Sequence, residues 1–222
     1  MKINVKEFFF NVKDEKYCII KSFEIDNYKS GSDIDIFCYD IKSFSKKILD
    51  ISKKYINYYE VVIKQNKNEN HVYIDFQKKN KKIELRFDLY GSLPRYEKLS
   101  IKEGLFSSII ENRIKKEVMF GDEVFYINIP SLIDDVLIRY IEFQEWYNIR
   151  PDKIKHINYI ENLLTKKIKK DFLDKLHFYT EFKTVTLNNN KYSPLEKLKD
   201  LWMKLKGKSI KEILIKIKKR VK

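Results

Sequence analysis

The stretch SGSDIDI at residues 30–36 places two acidic side chains one position apart in an otherwise apolar run. Successive side chains of a β-strand point to opposite faces, so Asp33 and Asp35 share one face while Ile34 and Ile36 share the other. Aspartate is depleted in strands, which makes Asp35 within this run hard to explain as simple turn chemistry. The segment therefore predicts a strand with a pair of carboxylates that have a functional role.

A third acid, Asp88, lies in a second alternating segment, IELRFDL at residues 83–89, and faces away from its apolar side. Carboxylates gathered on one sheet repel each other unless a divalent cation lies between them, and Mg²⁺ prefers oxygen ligands and keeps positions open for phosphates. We therefore predict that Asp33, Asp35 and Asp88 bind Mg²⁺ or Mn²⁺ in a two-metal phosphoryl or nucleotidyl transfer site. An ordinary solvated strand face is the alternative explanation for the segment around Asp88.

These residues resemble the signature of the nucleotidyltransferase superfamily, which includes DNA polymerase beta, the aminoglycoside nucleotidyltransferases and the minimal nucleotidyltransferases. That signature is Gly-Ser or Gly-Gly after a strand, then a short spacer, then Asp-x-Asp on the next strand and a later Asp. Ten residues separate Ser22 from Asp33, which is the spacing of that signature. Lys21-Ser22 therefore lies where the family has Gly-Ser. The resemblance covers residues 15–90, and its departure is the absence of Gly, which normally lets backbone approach a triphosphate closely.

The resemblance implies an enzyme that binds a nucleoside triphosphate, such as ATP, together with the metal ions. It would transfer the nucleoside monophosphate to a hydroxyl or phosphate of a small-molecule or sugar-containing acceptor and release pyrophosphate. Asp88 would also act as general base on the acceptor hydroxyl. Simple turn chemistry is the alternative for Gly31. The residues expected to contact the nucleotide phosphates are Lys21, Ser22, Gly31 and Ser32.

The net charge of +14, from 46 basic and 32 acidic residues, indicates an anionic partner. Forty of the basic residues are lysine and the chain has no alanine, which is the composition that the codon usage of an AT-rich genome produces. The positive charge therefore has two possible origins, binding of an anionic partner or codon bias. Two further hypotheses follow. The first is a nucleotidyltransferase acting on RNA, as toxins that modify a tRNA end do. The second, motivated by the missing Gly, is a non-catalytic nucleotide-binding module on a degenerate nucleotidyltransferase fold.

Hydrophobic periodicity predicts an α+β chain: a mixed β-sheet catalytic domain with flanking helices at residues 1–130, followed by a helical domain at residues 131–222. The predicted strands are 17–24, 33–39, 59–65, 71–78 and 83–90, with the last two forming a hairpin and another hairpin within 118–129. The predicted helices are 42–56, 101–113, 131–147, 152–166, 169–180, 194–206 and 209–220.

Cys18 and Cys38 lie in apolar strand-like runs without zinc-ligand spacing, which favours buried reduced thiols. The sequence shows neither a signal peptide nor a membrane-spanning stretch, so we expect a cytoplasmic protein. The segment 204–222 is basic and has apolar residues at helical spacing. Packing of this stripe on the protein is favoured over contact with an anionic membrane or with nucleic acid, the alternatives.

The remaining candidates are isolated residues. His71, His156 and His177 show no spacing typical of a triad or a metal site, so surface or half-buried positions are expected for them. Arg95, in the turn after the third acid, is a candidate for contacting a phosphate or an anionic acceptor, with a plain surface position as the alternative. Lys155, early in a predicted helix, is a candidate for contacting the substrate.

Overall fold

The computed structural model describes residues 1–21, 28–66, 70–147, 149–163 and 166–182. The chain is α+β, as predicted, and the described part contains a five-stranded mixed sheet and six α-helices. The contacts divide the chain into two compact units. The first unit is Met1–Arg95 with Phe106–Leu132, and the second is Tyr96–Leu105 with the chain from Ile133 onward. Ser22, the predicted helices 194–206 and 209–220 and the basic segment 204–222 lie outside the described residues.

The sheet of the first unit carries both segments that hold the acidic residues. In chain order its strands are β1 (Tyr17–Ile19), β2 (Ser32–Cys38), β3 (Glu60–Asn66), β4 (His71–Gln77) and β5 (Ile83–Tyr90). Their order across the sheet is β1-β2-β5-β4-β3. Strands β2 and β5 are parallel, whereas the other neighbours are antiparallel. The predicted hairpin is β4–β5.

One face of this sheet is apolar and forms the core with two helices, α1 (Val5–Asn11) and α2 (Ile41–Ser52). The alternation read from the sequence explains this face, because each strand contributes every second residue to it. Asp40 caps α2 by accepting a hydrogen bond from the Ser43 N–H at 2.9 Å. The core residues on the sheet include Ile34, Ile36, Val72, Ile74, Phe76, Leu85, Phe87 and Leu89.

A second hairpin completes the first unit. It consists of β7 (Ile114–Phe120) and β8 (Glu123–Ile129), numbered after a short strand β6 (Leu99–Ile101) and a helix α3 (Leu105–Glu111). Its turn lies at Gly121 and Asp122, as the sequence predicted. The ring of Phe10 from α1 lies 5.5 Å from Phe120 and 5.6 Å from Phe125, so the hairpin packs on the same core.

The second unit contains α4 (Leu132–Trp146), α5 (Ile154–Leu163) and α6 (Lys166–Tyr179). It also contains a two-stranded sheet, in which β6 pairs antiparallel with β9 (Thr180–Phe182). Helices α4 and α6 are joined by the contact of the Tyr140 and Phe172 rings at 5.5 Å and by an ion pair between Asp134 and Lys175 at 2.5 Å.

Two predictions of secondary structure are wrong. The helix predicted at 101–113 begins only after Gly104, whose φ of +91° is incompatible with a helix, and Ile101 lies in β6. The chain after residue 130 is not entirely helical, because Thr180–Phe182 forms β9. That strand is stabilised by pairing with residues far away in the chain, which local periodicity does not register.

None of the helices in the described ranges has the length and apolar character that spanning a bilayer requires.

We predict that Phe8→Ala lowers the free energy of unfolding by about 3–5 kcal/mol, the usual cost of truncating a buried aromatic residue. Phe8 is fully buried, and its ring lies 5.0 Å from Phe87 and 5.7 Å from Phe76. Denaturant unfolding measures the change. The control is Tyr58→Ala at a side chain that is 52% exposed, where the change should stay within about 0.5 kcal/mol. Equal effects at the two positions would contradict the assignment of the core.

Candidate active site

The parallel pairing of β2 with β5 brings the three predicted carboxylates to one face. Asp35 is the register partner of Asp88, and Asp33 is the partner of Arg86. Register partners in a parallel pair point to the same side, and Asp33 shares that side with Asp35 because the two are separated by one residue. The face opposite the core therefore carries Asp33, Asp35 and Asp88 together.

Asp33 is the most exposed of the three carboxylates. Its pKa is raised above the ordinary value, chiefly because its carboxylate is partly withdrawn from water, and the charge of Asp88 adds to this. The guanidinium of Arg86 and the ammonium of Lys21 act in the opposite direction but do not cancel the rise. The neighbouring positive charges therefore do not fully offset the loss of water around the ionised Asp33 carboxylate.

Asp35 is compensated by Lys21, whose Nζ lies 2.6 Å from its Oδ2. The chain stays beside Asp35 after the end of β1, because the Ile20 N–H donates to the Asp35 carbonyl oxygen at 2.9 Å. Lys21 follows directly and has a φ of +68°, in the left-handed region that favours glycine. The position where the resembled family has Gly-Ser therefore keeps a glycine-like backbone but carries a lysine side chain that reaches the acidic pair.

Asp88 is held by two aromatic side chains. His71 Nε2 contacts Asp88 Oδ1, and the Tyr90 hydroxyl donates to Asp88 Oδ2 at 3.2 Å. The rings of His71 and Tyr90 stack with centroids 4.1 Å apart. Burial, together with the charges of Asp88 and Asp35, raises the pKa of Tyr90, so this hydroxyl remains a hydrogen-bond donor.

The prediction that the histidines are surface or half-buried residues is wrong for two of them. His71 is 4% exposed and His156 is 3% exposed, whereas His177 is exposed. His71 was missed as a site residue because it pairs with Tyr90 across the β4–β5 hairpin and has no sequence spacing to the acids. The predicted hairpin of β4 and β5 was the one signal that could have identified His71, because it places His71 on the strand next to Asp88.

A buried ion pair, also missed from the sequence, supports this face from β4. Asp75 is fully buried and accepts two hydrogen bonds from Arg86, at 2.6 Å from Nε and 2.9 Å from Nη2. The Arg86 guanidinium also lies 4.9 Å from the centre of the Tyr73 ring. This bidentate geometry fixes Arg86 beside Asp33, its register partner. Tyr73 and Asp75 alternate with the apolar residues of β4, which assigns them to the polar face, but their partners follow only from the strand pairing.

The turn before β2 is closed by its own hydrogen bonds. The Gly31 N–H donates to the Glu84 carbonyl oxygen and the Ser32 N–H donates to the Lys29 carbonyl oxygen, each at 2.9 Å. Gly31 has a φ of +87°, which explains the glycine. The backbone N–H groups of Gly31 and Ser32, two of the residues expected to contact phosphates, are thus hydrogen-bonded within the protein. The Ser32 hydroxyl accepts from the Lys29 N–H at 3.1 Å and keeps its own proton available for donation.

The two weak candidates lie on the surface. Arg95 follows β5 in the first unit and Lys155 lies on α5 in the second, and both side chains are exposed. The fourth predicted phosphate contact, Ser22, lies outside the described residues. Cys18 and Cys38 are both buried thiols that are not part of a disulfide, as expected.

The donor chemistry of the face fits a hard divalent cation, since its side chains offer carboxylate oxygens on adjacent strands. The side chains do not close around an ion in the arrangement seen. Within the described part of the chain, no group of three His, Cys, Asp or Glu residues is placed to hold a metal ion. In this arrangement Lys21 is paired with an oxygen of Asp35, and His71 contacts an oxygen of Asp88.

Comparison of the chain with protein-family models, curated proteins and solved structures gave no match. The resemblance to nucleotidyltransferases consequently depends on the acidic residues of the sequence and their spacing.

We predict that Asp33→Asn makes the protein more stable at neutral pH. Because the folded-state pKa of Asp33 is raised, the folded state binds this proton more tightly than the unfolded state does. Stability therefore falls as the pH rises from the unfolded pKa through the folded one. Asparagine stays neutral, so the variant should unfold at a higher temperature than the wild type at about pH 7 and equal it at about pH 3.

Thermal unfolding across this pH range measures the effect. The matched control is Asp14→Asn, which removes the same charge from an exposed turn residue before β1. Identical pH responses of the Asp33 and Asp14 variants would contradict the electrostatic account of this face.

We predict that His71→Leu lowers the free energy of unfolding by about 3 kcal/mol, because it leaves a buried carboxylate without one of its partners. Asp88 is 7% exposed, so water does not readily replace the lost contact. The double variant His71→Leu/Asp88→Leu should lose less stability than the sum of the two single variants, since it leaves no unpaired charge. Additive losses in denaturant unfolding would show that the two residues are not energetically coupled.

Proposed function

We propose that the chain is a metal-dependent nucleotidyltransferase. It would bind a nucleoside triphosphate with Mg²⁺ or Mn²⁺ and move the nucleoside monophosphate to a hydroxyl or phosphate of a small-molecule or sugar-containing acceptor. The observation that carries this proposal is the register of β2 and β5, which makes Asp35 and Asp88 neighbours and places Asp33 on the same face. Carboxylates brought together in this way are suited to divalent cations that bind phosphates.

In this proposal Asp33, Asp35 and Asp88 hold the metal. When bound, the metal would neutralise the negative charge of the triphosphate and of the departing pyrophosphate. Asp88 accepts the proton of the acceptor hydroxyl, and its orientation is fixed by His71 and by Tyr90 at 3.2 Å. A fixed carboxylate loses less conformational freedom when the acceptor binds, which favours the reactive geometry.

A second candidate, the non-catalytic nucleotide-binding module, is favoured by one observation. Lys21 and His71 already occupy oxygens of Asp35 and Asp88, so the face is partly compensated without any ligand. Such a module would bind a nucleotide without turnover. Its acids would act as structural partners of the cationic and aromatic side chains around them.

We predict that Asp35→Asn and Asp88→Asn each reduce pyrophosphate release at least about 100-fold, since loss of a metal ligand removes several kcal/mol of transition-state stabilisation. The assay supplies ATP, GTP, CTP or UTP with Mg²⁺ and an acceptor panel of sugars, sugar phosphates, aminoglycosides and tRNA. The control is Asp50→Asn on α2, an exposed acid paired with Lys53, which should keep wild-type activity.

The outcomes separate the candidates. Turnover with tRNA that weakens steeply with salt would assign an RNA acceptor. Nucleotide binding without turnover on any acceptor would favour the non-catalytic module. Turnover that survives both Asp35→Asn and Asp88→Asn would exclude this face as the catalytic centre.

A further inference from the structure

We infer that Lys21 is a tethered counter-ion that blocks the carboxylate site for free divalent cations and leaves it when a triphosphate binds. This inference rests on the proposed function and concerns the regulation of the same site. Lys21 would exchange the Asp35 carboxylate for a phosphate oxygen, so that metal and nucleotide bind together and neither binds well alone.

The first support is the contact itself. Lys21 Nζ lies 2.6 Å from Asp35 Oδ2, and the two side chains are only 23% and 18% exposed. An ion pair at this depth is screened by salt less than a surface pair. The same ammonium also acts on the charge of Asp33, the other acid of the pair. Lys21 thus supplies positive charge to both carboxylates where a divalent cation would be expected to supply it.

The second support is the backbone of Lys21. Its φ of +68° is unfavourable for a residue with a side chain and natural for glycine, which the resembled family has in this part of its signature. The hydrogen bond from the Ile20 N–H to the Asp35 carbonyl oxygen holds the adjoining backbone beside the acid. Backbone strain of this kind clusters at functional sites, so the conformation of Lys21 supports a role for this residue in the site. Here the side chain contributes one positive charge at Asp35.

The third support is the exchange that a triphosphate makes possible. A lysine ammonium is a compact charge on a flexible stem, so it can move between two nearby anions without movement of the strands. A divalent cation alone must displace Lys21 from Asp35 and leave the ammonium without that partner. A triphosphate offers Lys21 a new anionic partner at the same time. Binding of metal and of nucleotide is therefore positively coupled, and the coupling is reciprocal.

The test measures binding of Mg²⁺ by calorimetry and by thermal stabilisation, with Mg²⁺ alone, with each of ATP, GTP, CTP and UTP alone, and with both. We expect weak binding of Mg²⁺ alone to the wild type and a stabilisation by Mg²⁺ with one nucleotide that exceeds the sum of the separate effects. In Lys21→Met the affinity for Mg²⁺ alone should rise about tenfold and the coupling should fall by the same factor, within the range usual for coupled sites.

Three further variants keep the result specific. Lys21→Gly suits the left-handed backbone and should behave as Lys21→Met does, which guards against a folding defect in either one. Lys21→Arg keeps the charge and should bind Mg²⁺ alone as weakly as the wild type. Lys16→Met removes an ammonium that is 65% exposed just before β1 and should leave Mg²⁺ binding unchanged.

The inference is overturned if Lys21→Met and the wild type bind Mg²⁺ alone equally while both bind it with nucleotide; the nucleotidyltransferase proposal would then stand without the exchange. Absence of any Mg²⁺ or nucleotide binding by both proteins would instead overturn the proposed function, and the inference with it. A rise in affinity in Lys16→Met equal to that in Lys21→Met would also overturn the inference, because net charge alone would then explain it.

Discussion

The parallel pairing of β2 with β5 is the constraint on which the rest of the site depends. It makes Asp35 and Asp88 neighbours although more than fifty residues separate them in the chain. A shift of this register by one residue would turn Asp88 toward the core and bring Leu89 to the polar face. The apolar side chains of both strands prevent that shift, since burial of residues such as Ile34 and Phe87 stabilises only one register.

Crowding of carboxylates on this face has a cost, and the neighbouring strands compensate it unevenly. Arg86 is bound to the buried Asp75, Lys21 is paired with Asp35, and Asp88 is held by its aromatic partners. Asp33 is left with a raised pKa despite nearby cations. Desolvation is the main cause of this rise, so the neighbouring cations compensate the charge of Asp33 less than they compensate that of Asp35.

The sequence predicted the α+β class, the strands that carry the acids and the common face of Asp33 and Asp35, because these follow from alternation within single strands. It missed the pairing of His71 with Asp88 and of Asp75 with Arg86, which is set by the order of strands across the sheet. It missed β9 for the same reason, because that strand pairs with residues far away in the chain. Patterns of period two identify which side a residue faces, but they carry no information on which strand lies beside it.

The lysine at position 21 connects the departure from the family signature with the chemistry of the face. A glycine at this position has no side chain, so the backbone can approach phosphates closely. Here the left-handed backbone is retained and the side chain is added, so the position gains a charge. Close approach of backbone and a pairing ammonium are two ways to stabilise an anion, and they differ in one respect. An ammonium also pairs with the carboxylates of the site when no anion is present, whereas a glycine leaves them uncompensated.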